Sequence, residues 1–372
     1  IAFLKEITTL KDEDSQQRVA ELQTRFKEYD IPVVTITEQE HEQVCIIFER
    51  INNSGTGLTL YELMSAWTWS NEFDLREEFQ EFVNELEEKG FGNLNQDILL
   101  RIIGGVIRNK IGSKDILELK PEIIRSNIER VKAASFLAID FLSTELKITS
   151  LDFLPFPMQL VPLTVFFDKM KTPTAIQSKK IRNWFWKSSF SGRYSKATEQ
   201  NICLDIEDML AIIKDESSPA FEFRANVNPT IFASKKFQKQ AVITKAFIVL
   251  LAQQQPRNLL NGQAIDIGRA LSSYNYKEFH HVFPQAFLKS KGIDSSKINV
   301  LANYCFLSSA VNKTISDKNP SEYFQLIPLE LRNGILRSAI IPDDLTITTD
   351  DYDSFLESRS KLLFSHLEKL MI

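Results

Sequence analysis

Phe279-His280-His281-Val282-Phe283-Pro284 brings together two of only four histidines in a chain of 372 residues. Leu301-Ala302-Asn303-Tyr304 and Ala310-Val311-Asn312-Lys313 follow it. On a strand, successive side chains point to opposite faces, so the adjacent His280 and His281 can hold different jobs. Phosphodiester hydrolysis needs a base to take a proton from water and a cation to hold the non-bridging and leaving 3′ oxygens. One histidine can serve the water and the other a metal, while Asn312, on a following helix, can offer a carbonyl oxygen. Imidazole with amide oxygen suits Mg²⁺, Mn²⁺ or a similar ion better than structural zinc, which prefers Cys and His. Each residue also has an ordinary reading. Neighbouring imidazoles are often packed or surface residues, Asn303 can be a turn or cap residue, and Asn312 can be a residue on a helix surface.

The chain around this stretch is 43% hydrophobic and 25% charged, enough apolar residue for a sizeable core. Its length suggests two or three domains. Ile1, not Met, comes first, and folded-looking sequence starts at once, so the chain reads as a piece of a longer protein with an N-terminal part missing. No apolar run reaches about 18 residues, so no membrane span is expected. Cys45, Cys203 and Cys305 lie far apart in apolar contexts, form no disulfide framework or zinc pattern, and fit buried thiols in a reducing cytoplasm. A net charge of −5 gives no global basic footprint, so nucleic-acid binding requires a local patch.

Glycine is sparse and helical periodicity dominates. The expected fold is mainly α with a small α+β part. Residues 15–29 read as an amphipathic helix and Ile31 to Ile36 as a strand. His41 to Arg50 reads as a helix ended by Asn52-Asn53-Ser54-Gly55-Thr56-Gly57. Further helices run from Thr59 to about Trp69, in series from 72 to 170, over Ala241 to Ala252, and from Tyr352 to Leu370, with Asp344 to Thr349 as a linker. Trp184, Phe185 and Trp186 read as core, whereas Arg193 and Tyr194, in a Ser/Gly turn, are expected to be exposed and thus better placed to touch DNA. His41 and His366 have no evident partner.

The His-His-Val-Phe-Pro-Gln-Ala-Phe-Leu run, with Asn303 and Asn312 nine residues apart, resembles the HNH endonuclease motif. The resemblance implies His281 as general base, His280 and Asn312 as metal ligands, and Asn303 as the residue that orients the base and its loop. Many HNH enzymes have Asp where this chain has His280, which leaves the metal open. Ile31-Pro-Val-Val-Thr-Ile, Ile47 through Thr59, Trp184 through Ser195, and Tyr352-x-x-Phe-Leu-x-x-Arg-Ser together resemble GmrSD-type restriction proteins. In that bacterial defence family, a ParB-like nucleotidase domain precedes helices and a C-terminal HNH domain.

The resemblance implies four parts: residues 1–70 as the end of the nucleotidase-type domain, 71–225 as a helical domain, 226–345 as the ββα-metal (HNH) nuclease domain, and 346–372 as a helix packing back on the body. It implies a cytoplasmic, metal-dependent endonuclease acting on foreign, including modified, DNA, with a homodimer among its allowed states. An NTP would belong to the full-length protein, with Arg50, Asn52 and Gly55 as contacts; a helix cap followed by a turn explains the same residues. The family's Asp-Gly-Gln-Gln-Arg hallmark is absent, and Asp14-Ser15-Gln16-Gln17-Arg18 reads as a solvated helix start. Lys313 and Lys318 belong to a modest local excess of lysine suited to phosphate, and a solvated loop lysine is the plain alternative for Lys318. Two other classes stay open: a DNA-modification sensor with a degenerate nuclease site, and a nucleotide-regulated binding module.

Overall fold

The computed structural model describes residues 12–30, 58–70, 72–271 and 279–372. The chain divides into two compact units, Ile1–Thr56 and Gly57–Ile372. In the first, one helix is described, α1 (Glu13–Lys27). Asp12 caps it by accepting from the Ser15 amide at 2.7 Å, and its acidic first turn and basic last turn oppose the helix dipole. This cap starts the helix two residues before the apolar pattern does. Asp14 pairs with Arg18 across one turn, and no residue of α1 is buried. Asp14 to Arg18 is thus a solvated helix start, as expected. The expected strand at Ile31–Ile36, the helix at His41–Arg50, Cys45, and Arg50, Asn52 and Gly55 lie outside the described residues.

The second unit is mainly helical, with one two-stranded sheet among its described residues. α2 (Leu60–Thr68) starts at Thr59, whose hydroxyl accepts from the Glu62 amide while the Glu62 carboxylate accepts from the Thr59 amide. α3 (Leu75–Glu87), α4 (Gln96–Arg108) and α5 (Pro121–Glu145) follow. α6 (Leu160–Lys169) buries Leu160 through Phe167 and sits at the centre, against α4, α5 and α8 (Thr198–Lys214). A helix apolar all round belongs inside such a body. Gly105 allows the α4–α6 approach, since a Cβ there would meet Val165 Cγ2 at 2.9 Å. α7 (Ala175–Ser191) carries Trp184, Phe185 and Trp186, all fully buried, which bears out their reading as core. Gly192 ends α7 in the left-handed region at φ 67°.

α9 (Val242–Gln253) is buried from Ala246 to Ala252 and packs on α7. Beyond it lie β1 (Phe279–His281), β2 (Tyr304–Phe306) and α10 (Ser309–Ile315). The strands are antiparallel, with Phe279 opposite Phe306, His280 opposite Cys305, and His281 opposite Tyr304. Asp344–Thr349, expected as a linker, instead contains the helical turn Leu345–Thr348 with Ile347 buried. Asp344 organises it by accepting from the Thr346 amide and from the Ser358 hydroxyl. α11 (Tyr352–Met371) packs against α7, the short helix Thr230–Ser234 and residues 301–303. Among the described residues no helix is long and apolar enough to cross a membrane.

Two three-residue strands cannot hold themselves together in water. α11 supplies the support. Arg359 is fully buried and donates to the carbonyls of Ala302 (2.7 Å), Ile340 (3.0 Å) and Ala339 (3.1 Å). Burial brings its pKa down to about 10, still a cation at neutral pH. Tyr352, two α11 turns earlier, donates to the Lys297 carbonyl at 2.8 Å. Arg359→Ala should lower unfolding stability by about 3 kcal/mol or more, since each buried carbonyl left without a donor costs roughly 1–3 kcal/mol. Urea unfolding measures this directly, and a loss below about 1 kcal/mol would mean that water replaces the guanidinium there.

Candidate functional site

Alternation along β1 puts Phe279 and His281 on one face and His280 on the other. On the first face the rings form a row. The His281 ring lies 4.3 Å from that of Tyr304, and Tyr304 stacks on Phe237 at 4.0 Å. On the other face His280 stands opposite Cys305, whose thiol is fully buried and pushed up to about 11 by that burial. His280, His281 and Asn312 are all half-buried.

The His281 imidazole has one defined partner. Its Nε2 lies 3.0 Å from Oδ1 of Asn299, and that same oxygen accepts from the Tyr304 hydroxyl at 3.1 Å. Asn299 Nδ2 is committed to the Ser295 carbonyl at 3.0 Å, which fixes which amide atom faces the ring. Oxygen can only accept, so Nε2 carries the proton and the lone pair is on Nδ1. Burial holds the His281 pKa below the ordinary histidine value; the Asn299 bond opposes this, and neighbouring His280 adds to it. The ring is neutral at neutral pH. Tyr304, pushed up to about 12 by burial, keeps its proton and remains a donor.

Asn303 has a different task. It is fully buried, accepts from the Phe283 amide (2.9 Å), and donates to the carbonyls of Phe283 (3.2 Å) and Ile298 (3.0 Å). Its own carbonyl accepts from the Val282 amide at 2.7 Å. It therefore clamps the two residues after His281 to the segment before β2, and it orients the loop. Its side-chain bonds go to backbone, and the imidazole is held by Asn299, which the sequence reading missed. Nothing in Lys297-Ile298-Asn299-Val300 marks it, because the contact depends on pairing across eighteen residues.

Asn312 sits on α10, six residues after the end of β2, behind the N-cap Ser308. Lys313 and Lys318 are exposed, and Lys318 donates to the Thr314 carbonyl at the end of α10. Among the described residues no three His, Cys, Asp or Glu side chains form a metal-like cluster. His280 carries imidazole nitrogens and Asn312 an amide oxygen, donor types that a divalent ion accepts.

Arg193 requires a correction. It is not an exposed turn residue, because its Nε and Nη2 grip the fully buried Asp205 carboxylate at 2.9 and 2.7 Å. Its guanidinium lies 3.8 Å over the Phe223 ring. Tyr194 is buried as well and donates to Asp205. A buried carboxylate must be paired, and Arg193 is spent on that task rather than on DNA. His366 is half-buried on α11, with its pKa lowered by burial and by Lys369.

No family model matches the chain. Among curated proteins, one from Methanocaldococcus jannaschii, bearing the name "Uncharacterized protein MJ0686", is 25% identical over 389 residues. The match covers 92% of this chain, and the chain spans 64% of that relative's length.

Two outcomes test the site's geometry. In metal-free protein, long-range ¹H–¹⁵N spectra should show His281 as the neutral Nε2–H tautomer, and Asn299→Ala should convert it to a tautomer mixture. A wild-type ring protonated at Nδ1 would contradict the assignment. Asn303→Asp should unfold at lower urea by about 2 kcal/mol or more, because a carboxylate cannot donate to the Phe283 and Ile298 carbonyls.

Proposed function

We propose that this chain is a metal-dependent endonuclease of the HNH type that cleaves DNA, in the manner of the GmrSD-type restriction proteins its sequence resembles. The observation that carries the reading is the hydrogen-bonded state of His281. A neutral imidazole with Nε2–H anchored and Nδ1 unprotonated is what a general base for water requires. His281 Nδ1 takes the proton of the attacking water, and Asn299 Oδ1 then holds the Nε2–H of the imidazolium through its polar, doubly engaged oxygen. The Asn303 clamp on Val282 and Phe283 keeps the ring from swinging as charge develops. His280 and Asn312 would hold a divalent ion such as Mg²⁺ or Mn²⁺. When bound, the ion supplies positive charge to the scissile phosphate and its leaving oxygen. Lys313 and Lys318 offer cations to flanking phosphates, Lys318 by exchanging the Thr314 carbonyl for a phosphate oxygen.

The strand–strand–helix order supports the assignment of roles: both histidines come from β1, and Asn312 from α10, the helix that follows β2. Use of a nucleotide, a preference for modified DNA, and a part in phage defence are further expectations of this reading.

Supercoiled plasmid should be nicked or cut with Mg²⁺ or Mn²⁺ and left intact with EDTA. His281→Ala should slow cutting by at least about 100-fold, the low end of what a general base contributes. Equal rates for wild type and variant would sink the nuclease assignment and favour a sensor with a degenerate site.

A further inference from the structure

Charge is unevenly distributed along the chain. Between Glu222 and Asp266 there is no acidic residue, yet Arg224, Lys235, Lys236, Lys239, Lys245 and Arg257 fall there, in a chain of net charge −5. Lys235, Lys236 and Lys239 are exposed. A charge run is usually a solvated face, and these lysines would mean little if they lay far from the site.

The fold ties them to it. Lys236 bridges Val300 in antiparallel fashion, the Phe237 amide donates to the Asn299 carbonyl at 2.8 Å, and the Leu301 amide donates to the Lys235 carbonyl at 2.9 Å. This segment is thus bonded, main chain to main chain, to the residue whose side chain holds His281. Phe237 stacks on Tyr304, two ring contacts from the imidazole. The residues on either side of Phe237, Lys236 and Gln238, line a groove of about 590 Å³ together with Lys235. Ser191, Gly192 and Ser195, at the end of α7, form its other wall, and Phe190, Ile231 and Val242 are among its apolar lining. Cations, hydroxyls and an amide above apolar surface suit a sugar–phosphate backbone, whose contacts go mainly to phosphate oxygens.

We propose that the groove between Lys235–Gln238 and Ser191–Ser195 binds the phosphates of one strand of a DNA duplex. It gives an acidic chain the local basic patch that DNA binding requires. The proposal rests on the nuclease reading for its choice of DNA as the occupant, and its test does not use cleavage.

Binding of a short labelled duplex is followed by fluorescence anisotropy in EDTA over a range of salt concentrations. Lys235→Gln with Lys236→Gln should lower the slope of log K against log salt by about 2, from about 0.9 per lost phosphate contact, and weaken binding about tenfold near 0.1 M salt. Ser195→Glu, on the facing wall, should also weaken binding, which a loose surface attraction to lysines would not require. Lys171→Gln with Lys179→Gln, exposed on the helical body, should leave both values unchanged. Unfolding curves confirm that each variant is folded. An unchanged slope and affinity in the Lys235/Lys236 variant, or no binding by wild type, overturns the groove. If His281→Ala loses cutting while the groove variants bind normally, the nuclease reading stands and the groove falls. If cutting does not depend on His281 while the slope drops, the groove stands and the nuclease reading falls.

Discussion

One buried cation holds the C-terminal half of this protein together. Arg359 brings five donors into a fully buried region, and the three nitrogens of its planar fork find the carbonyls of Ala302, Ala339 and Ile340. A charge in such a place is costly unless its donors are used, and carbonyls in such a place are costly unless they receive one. Each side therefore requires the other. The bond to Ala302 matters most for the site, because the next residue is Asn303 and the one after it begins β2. α11 thus fixes the second strand from behind, Tyr352 fixes the segment before it, and the short β1–β2 pair forms on a support already set.

On that support two asparagines share the work that the motif resemblance assigns to one. Asn303 spends its side chain on backbone and shapes the loop after His281; Asn299 spends its oxygen on the imidazole itself. The separation has a physical basis. Pinning a loop requires an amide that donates twice and accepts once in full burial, which Asn303 does. Setting a tautomer requires an acceptor oxygen at the ring edge, and Tyr304 shares the Asn299 oxygen, so its charge density is engaged from two sides.

Much of this was legible in the sequence, for identifiable reasons. Local rules marked Thr59 as the start of a helix, because a capping box is written within four residues. Trp184 to Trp186 could have been read as a stacking platform for a base, but aromatic clusters at helical spacing are more often core, and these three are fully buried. The adjacent histidines and Asn303 stand out as candidates because their chemistry is rare and their order informative. The misses share one cause: they depend on residues far along the chain. Ser191 to Ser195 looks like an exposed turn until Asp205, on the next helix, draws Arg193 and Tyr194 inward. Asp344 to Thr349 looks like a linker until Ser358 of α11 donates to Asp344. Asn299 is unremarkable until β1 places His281 beside it.

The basic stretch shows a different kind of miss, one of scale rather than distance. Counting charge over the whole chain gives an acidic protein, and counting it only around the histidines gives a slight excess of lysine. Neither window matches the unit that the fold builds. The segment from Lys235 to Gln238 is more than forty residues before His281, yet its main chain is bonded to Asn299 and Leu301. Electrostatic attraction is felt over about 8–10 Å at physiological salt, so the relevant charge count is the one within that radius of the site in space. The main chain of Lys235 to Phe237 lies against Asn299 to Leu301, so a count taken along the sequence does not choose the charges that such a radius selects.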